Sequence, residues 1–169
     1  MRKPWNLPNL PVYSIMTQNE GRINMNICTY VTAISMEPKR YAIGIYYNTQ
    51  TLINIQGGSA IVLQLLSESQ FPLVRNFGQK SGINWDKDAF IMRKNSGNIS
   101  IPNKVQYELI KWKNVQVLKH AAAWIELKPL YSQEAGDHEL FLFDVISYKT
   151  NSESILTLNT LRERNIIRA

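Results

Sequence analysis

Cysteine, histidine and long apolar runs are what this 169-residue chain has least of. Cys28 is the only cysteine, so an intrachain disulfide and a cysteine-based structural zinc site are both excluded. His120 and His138 are the only imidazoles, and neither has a carboxylate at ligand spacing on a predictable helix; no metal centre is expected. No stretch approaches the roughly 18 consecutive apolar residues of a membrane span, and Met1-Arg2-Lys3-Pro4-Trp5 is not followed by the apolar segment of a secretory signal. The expectation is therefore a cytoplasmic protein that does not enter a membrane. There is no Gly-x-Gly-x-x-Gly after any strand pattern, which leaves a Rossmann dinucleotide unit without support.

Apolar residues make up 44% of the chain and charged residues 19%, enough to close a core around one domain spanning residues 1–169. The net charge of +6 is scattered. Lys111, Lys113 and Lys119 stand loosely around Trp112, and Arg162, Arg164 and Arg168 near the end. No dense basic run marks a nucleic-acid surface, but the positive field favours anions, including nucleotide phosphates.

Pro4, Pro8 and Pro11 make residues 1–11 an extended arm over the body. Residues 27–36 are rich in Thr, Val, Ile and Tyr and read as a strand with mixed faces; residues 37–40 read as a turn and 41–47 as the returning strand. Thr49 is a helix N-cap, with Leu52 and Ile55 at helical spacing and Gly57-Gly58 as the stop. Residues 60–66 read as a buried strand, residues 67–77 as a short helix, and residues 80–104 as polar loop. Further strands are expected at 121–130 and 138–149, with Leu140, Leu142, Asp144 and Ile146 sharing one side of the second, and a terminal helix at 156–167. Many strands without long crossover helices predict a mainly β, antiparallel barrel with short helices.

The run NICTYVTAISMEPKRYAIGIYYNTQTLINI from Asn26 offers amides and hydroxyls beside aromatic rings, which suits a flat cofactor with a polar edge. Thr49 and Thr51 either offer hydroxyls to a phosphate or simply cap and pack a helix. That run resembles the opening hairpin of flavin reductase-like domains. AIVLQLLSESQFPLVRNFG from Ala60 resembles the family's next strand and helix, SGINWDK from Ser81 its loop over the flavin, and GDHELFLFDVISY from Gly136 its Gly-Asp-His strand. The resemblance covers most of residues 24–148.

The resemblance implies a homodimeric split β-barrel that holds FMN, with FAD as the second candidate, near the subunit interface. By position, Asn26, Ile27, Cys28, Thr29 and Tyr30 would lie along the isoalloxazine. Tyr46, Thr49, Gln50 and Thr51 would hold the ribityl phosphate, and Ser81, Gly82 and Lys87 would complete the site, Lys87 as a point cation. Tyr30 stands where many relatives have Trp, and Cys28 where Met or a hydroxyl residue is common.

His138 would approach the flavin or an incoming nicotinamide; its alternative is a strand-start histidine that satisfies backbone groups. The implied activity is NAD(P)H-dependent flavin reduction, NADH or NADPH supplying electrons for a partner monooxygenase or another acceptor. The alternatives are a flavoredoxin-like carrier served by a redox protein instead of a pyridine nucleotide, and a basic barrel binding single-stranded nucleic acid. The ordered motifs favour the first two, and nucleic acid is not expected as a partner.

Overall fold

The computed structural model describes residues 3–95, 107–152 and 154–167. Its centre is a seven-stranded, wholly antiparallel sheet in the order β2-β1-β5-β8-β9-β4-β3. The strands are β1 (Tyr13–Asn19), β2 (Arg22–Cys28), β3 (Val31–Met36), β4 (Lys39–Tyr46), β5 (Ala60–Leu65), β8 (Ala123–Ala135) and β9 (His138–Thr150). A separate hairpin pairs β6 (Leu109–Trp112) with β7 (Val115–Leu118). Among the described residues four short α-helices fill the connections: α1 (Gln50–Gln56), α2 (Leu73–Phe77), α3 (Lys87–Asn95) and α4 (Leu158–Glu163). None of the described helices is long and apolar enough to cross a membrane. The architecture is the mainly β split barrel that the sequence predicts.

Two cores lie on opposite faces of β1 and β5. Ile15 and Leu63 pack inside the curled sheet with Ile43, Phe141 and Phe143. Met16 and Val62 point the other way, into a layer that includes Phe77, Ile91, Val117, Trp124 and Leu161. β1 is therefore buried on both sides, its polar Ser14 and Thr17 included, and shows no apolar alternation, which is why the sequence leaves it unassigned. The inner core is closed by α1, whose Thr49 cap accepts from the Leu52 N–H (3.2 Å). Burying Leu52 and Ile55 contributes about 1.5–3 kcal/mol each.

Several expected elements change. The strand read over residues 27–36 is two strands, because β2 pairs with β1 while β3 pairs with β4, and the chain breaks direction at Thr29-Tyr30. The turn between β3 and β4 is Glu37-Pro38, shorter than residues 37–40. The expected loop over residues 80–104 contains α3, started by Asp86, whose Oδ1 accepts from the Ala89 N–H at 2.9 Å; its remainder from residue 96 lies outside the described residues. The terminal helix shortens to α4, since Leu156 is held in extended form by backbone bonds with Val12 and Leu66. The arm lies over α4, where Arg162 Nη2 donates to the Asn6 carbonyl (2.8 Å) and the Asn159 N–H donates to Asn9 Oδ1 (2.8 Å).

On β9 the alternation holds as far as Val145, where a bulge at Ile146 shifts the register, so Leu140, Leu142 and Asp144 share a side and Ile146 leaves it. Phe141 and Phe143 enter the core, while Leu140, Ile146 and Tyr148 are left exposed. Tyr30, Ile34 and Met36 at β3, and Leu130 and Tyr131 on β8, are exposed as well.

Candidate functional site

β2 is an edge of the sheet, so one side of its backbone lacks a strand partner. Part of that edge is engaged by α3: Asp88 Oδ1 accepts from the Ile23 N–H (3.0 Å), and Lys87 Nζ donates to the Met25 carbonyl (2.7 Å). Beyond Met25 the strand borders open space. Asn24 and Asn26, two apart on β2 and on either side of Met25, both line a cavity at this edge.

Two adjoining cavities run along this edge. The first, about 160 Å³, is lined by Asn26, Ile27, Cys28, Thr29, Tyr30, Tyr46 and His138 among others. The second, about 290 Å³, shares Asn26, Ile27 and Tyr46 and continues past Thr49, Gln50, Thr51, Ser81, Gly82 and Lys87. Every residue that the resemblance assigns to a flavin site therefore borders one of these two adjoining cavities. Joined, the two cavities fall within the roughly 300–1,000 Å³ of small-molecule sites. A larger cleft, about 580 Å³, lies beyond Gly82 and shares Asn24, Gln50, Gly82 and Lys87 with the second cavity.

The first cavity is the aromatic end. His138 is directly opposite Tyr46 in the β4–β9 register, and its ring meets Tyr30 and Tyr46 edge-on at centroid distances of 5.1 and 5.2 Å. Gly44 lies beneath them: a Cβ there would stand 3.4 Å from Tyr30 Cβ and 3.6 Å from His138 Cδ2. Asp137 Oδ1 is 2.6 Å from His138 Nδ1, which orients the imidazole and leaves Nε2 turned away from that bond. Cys28 is half-buried over its whole surface, yet burial pushes its thiol up to about 12. At neutral pH it is an uncharged wall and no nucleophile.

The second cavity is the polar end. Asn48, with φ of 58°, takes the left-handed conformation that Asn tolerates and turns β4 into α1. Thr49 Oγ1 donates to the Tyr46 carbonyl (2.9 Å) while capping α1, and Thr51 Oγ1 is buried and accepts from Asn24 Nδ2 (3.0 Å). Both hydroxyls thus shape the wall. Gly82 is needed for a close approach, since a Cβ would come within 2.4 Å of Asn24 Oδ1. Lys87 is buried, with Nζ also 3.3 Å from the Phe77 carbonyl, and burial lowers its amine to about 8. Its place at the groove agrees with the sequence reading, but the structure ties its ammonium to two backbone carbonyls. Asn24, Asn48 and Lys80 also line the cavity and were not singled out; Asn24 was legible from its period-two relation to Asn26, and Lys80 from its place beside Ser81. Neither cavity has a carboxylate in its described wall.

Such a groove suits a flat ring with a polar edge at one end and an anionic group at the other. The model of the flavin reductase like domain matches residues 8–164 of the chain. No curated protein matches by sequence. Among solved structures, flavin reductase PheA2 superposes with a TM-score of 0.68 at 23% identity, covering 89% of this chain and 85% of that one. An FMN-binding protein from Thermus thermophilus gives 0.71 at 19% identity, covering 90% and 78%, and a flavoredoxin from Methanosarcina acetivorans 0.69 at 13%, covering 92% and 77%. At these identities the likeness is one of fold.

Proposed function

The chain belongs to the flavin reductase-like domain family, and from that premise we propose that it is an FMN-dependent oxidoreductase that accepts electrons from NADH or NADPH. The observation that carries this reading is the pair of adjoining cavities, with an aromatic end at Tyr30, Tyr46 and His138 and a polar end at Gln50, Ser81 and Lys87 whose described lining holds no carboxylate. Tyr30, Tyr46 and His138 would hold the ring of FMN, and the loop at Ser81 would hold its phosphate. When bound, FMN would supply the redox chemistry, a two-electron exchange between a reduced nicotinamide and an acceptor such as a partner monooxygenase.

The chain's own residues bind and orient. Asn26 Oδ1 accepts from the Ile27 N–H (3.1 Å), leaving Nδ2 to meet the polar edge of the ring. Tyr30 and Tyr46 provide aromatic surface, Cys28 an uncharged wall, and His138, steered by Asp137, a polar group beside the nicotinamide. No acid or base is required of them, because hydride transfer depends on orientation and on a closed environment.

A second copy of the chain completes the reading. His138 shares its face of β9 with Leu140 and Leu142, and farther along the same strand Ile146, at a bulge, and Tyr148 are exposed. An apolar face of that kind is costly in water, and its burial in a homodimer would bring the aromatic end of the groove to the interface. The place of action is the cytoplasm, where reduced pyridine nucleotides are supplied.

Reconstitution with FMN followed by a visible spectrum and steady-state oxidation of NADH and NADPH tests the proposal. A yellow protein that consumes either nucleotide is the expected result. A yellow protein without turnover would indicate the electron carrier, and a colourless one that takes up no flavin would refute the reading and revive the nucleic-acid alternative.

A further inference from the structure

Resting on the flavin reading above, we propose that Lys80, held on the face of Trp85, is the cation that binds the phosphate of FMN, and that Lys87 is a brace for the groove walls. Two lysines line the polar cavity. They are in opposite situations.

Lys87 is buried, and its Nζ joins the Met25 carbonyl on β2 to the Phe77 carbonyl at the end of α2. Those bonds fix two walls of the groove relative to each other. They also occupy the ammonium, and burial weakens its hold on the proton. A phosphate drawn to Lys87 would compete with both carbonyls.

Lys80 is exposed, with Nζ 4.6 Å from the centroid of the Trp85 ring. Among the described residues no carboxylate pairs with it. The indole face restrains the side chain without neutralising the charge or filling a strong acceptor site, so the N–H groups remain available to a phosphate. Trp85 is itself fixed, with ring centroids 5.9 Å from Phe77 and 4.9 Å from Phe90. The loop is seated by Gly82 against Asn24, which puts Lys80 and Ser81 together on the groove wall. A preset cation beside a hydroxyl is the donor set that a phosphate monoester takes.

Riboflavin shares the ring of FMN and lacks the phosphate, so the ratio of the two affinities isolates this end of the site. Flavin fluorescence titrations of the full, flavin-free chain should show FMN binding more tightly than riboflavin. Lys80→Gln should weaken FMN by about ten- to a hundredfold and leave riboflavin within about twofold, while Lys80→Arg should keep most of the FMN preference. Lys87→Gln should weaken both flavins alike by loosening the groove. The proposal is overturned if Lys80→Gln leaves the FMN-to-riboflavin ratio at the wild-type value, or if Lys87→Gln is the variant that abolishes it. Equal binding of the two flavins by the wild type would overturn the phosphate assignment and leave the flavin reading standing; binding of neither would remove both.

Discussion

Raising the pH from about 7.5 to about 10 should stabilise the fold through Lys87. In the unfolded chain the amine has its ordinary value of 10.5, and burial in the fold lowers it to about 8. Between those values the unfolded chain holds the extra proton, so raising the pH favours the folded state; below the folded value both forms are charged and the cost of burying the ammonium is fully present. The ratio of proton-binding terms gives a gain of about 2 kcal/mol across that interval.

Buried tyrosines act in the opposite sense. Tyr13 is raised to about 12, chiefly by burial and then by Tyr41 and Cys28, so the fold keeps a proton that the unfolded chain loses near pH 10. Comparison with Lys87→Met cancels that background, because the variant keeps every tyrosine. The variant also leaves the Met25 and Phe77 carbonyls without their donor, but that loss is constant with pH. The assay is urea unfolding of both flavin-free proteins at intervals over the window. The stability of wild type relative to the variant should climb by about 2 kcal/mol as the pH rises. A difference that stays flat or falls would show that Lys87 is not held as a buried ammonium, and the bracing argument would go with it.

His138→Ala should retain FMN and fold yet slow reduction by NADH about tenfold or more in stopped flow, about 1.4 kcal/mol of barrier, and Asp137→Asn should slow it less; an unchanged rate in a fully loaded variant refutes the orienting role. Cys28, with its thiol near 12, should have roughly 10⁻⁴ of its population as thiolate at about pH 8 and resist iodoacetamide in the native protein. Mass spectrometry showing modification at the rate of a free cysteine would contradict that burial. Ile146→Asp combined with Tyr148→Asp should convert a dimer to a monomer in sedimentation velocity, and a wild type that sediments as a monomer at micromolar concentration would refute the proposed interface.

Local signals carried much of this molecule. Thr49 caps α1 where the hydroxyl and the apolar spacing predict it, and Gly136, with φ of 70°, turns β8 into β9 immediately before Asp137-His138. These features depend on neighbours within a few residues, so the sequence alone determined them, along with the mainly β order of elements; the residues expected at the groove came from the resemblance of the ordered motifs, which left out Asn24, Asn48 and Lys80. β1 was hidden because tertiary packing buries both its faces, and the division of residues 27–36 was hidden because strand pairing depends on partners elsewhere in the chain. The tertiary structure also decided what the charges do. Lys87 and Lys80 stand seven positions apart and look alike in the sequence, but only the fold brings Met25 across 62 positions to hold the first and seats the second on an indole. A cation's role is set by the acceptors around it, and those are chosen by the packing of distant segments.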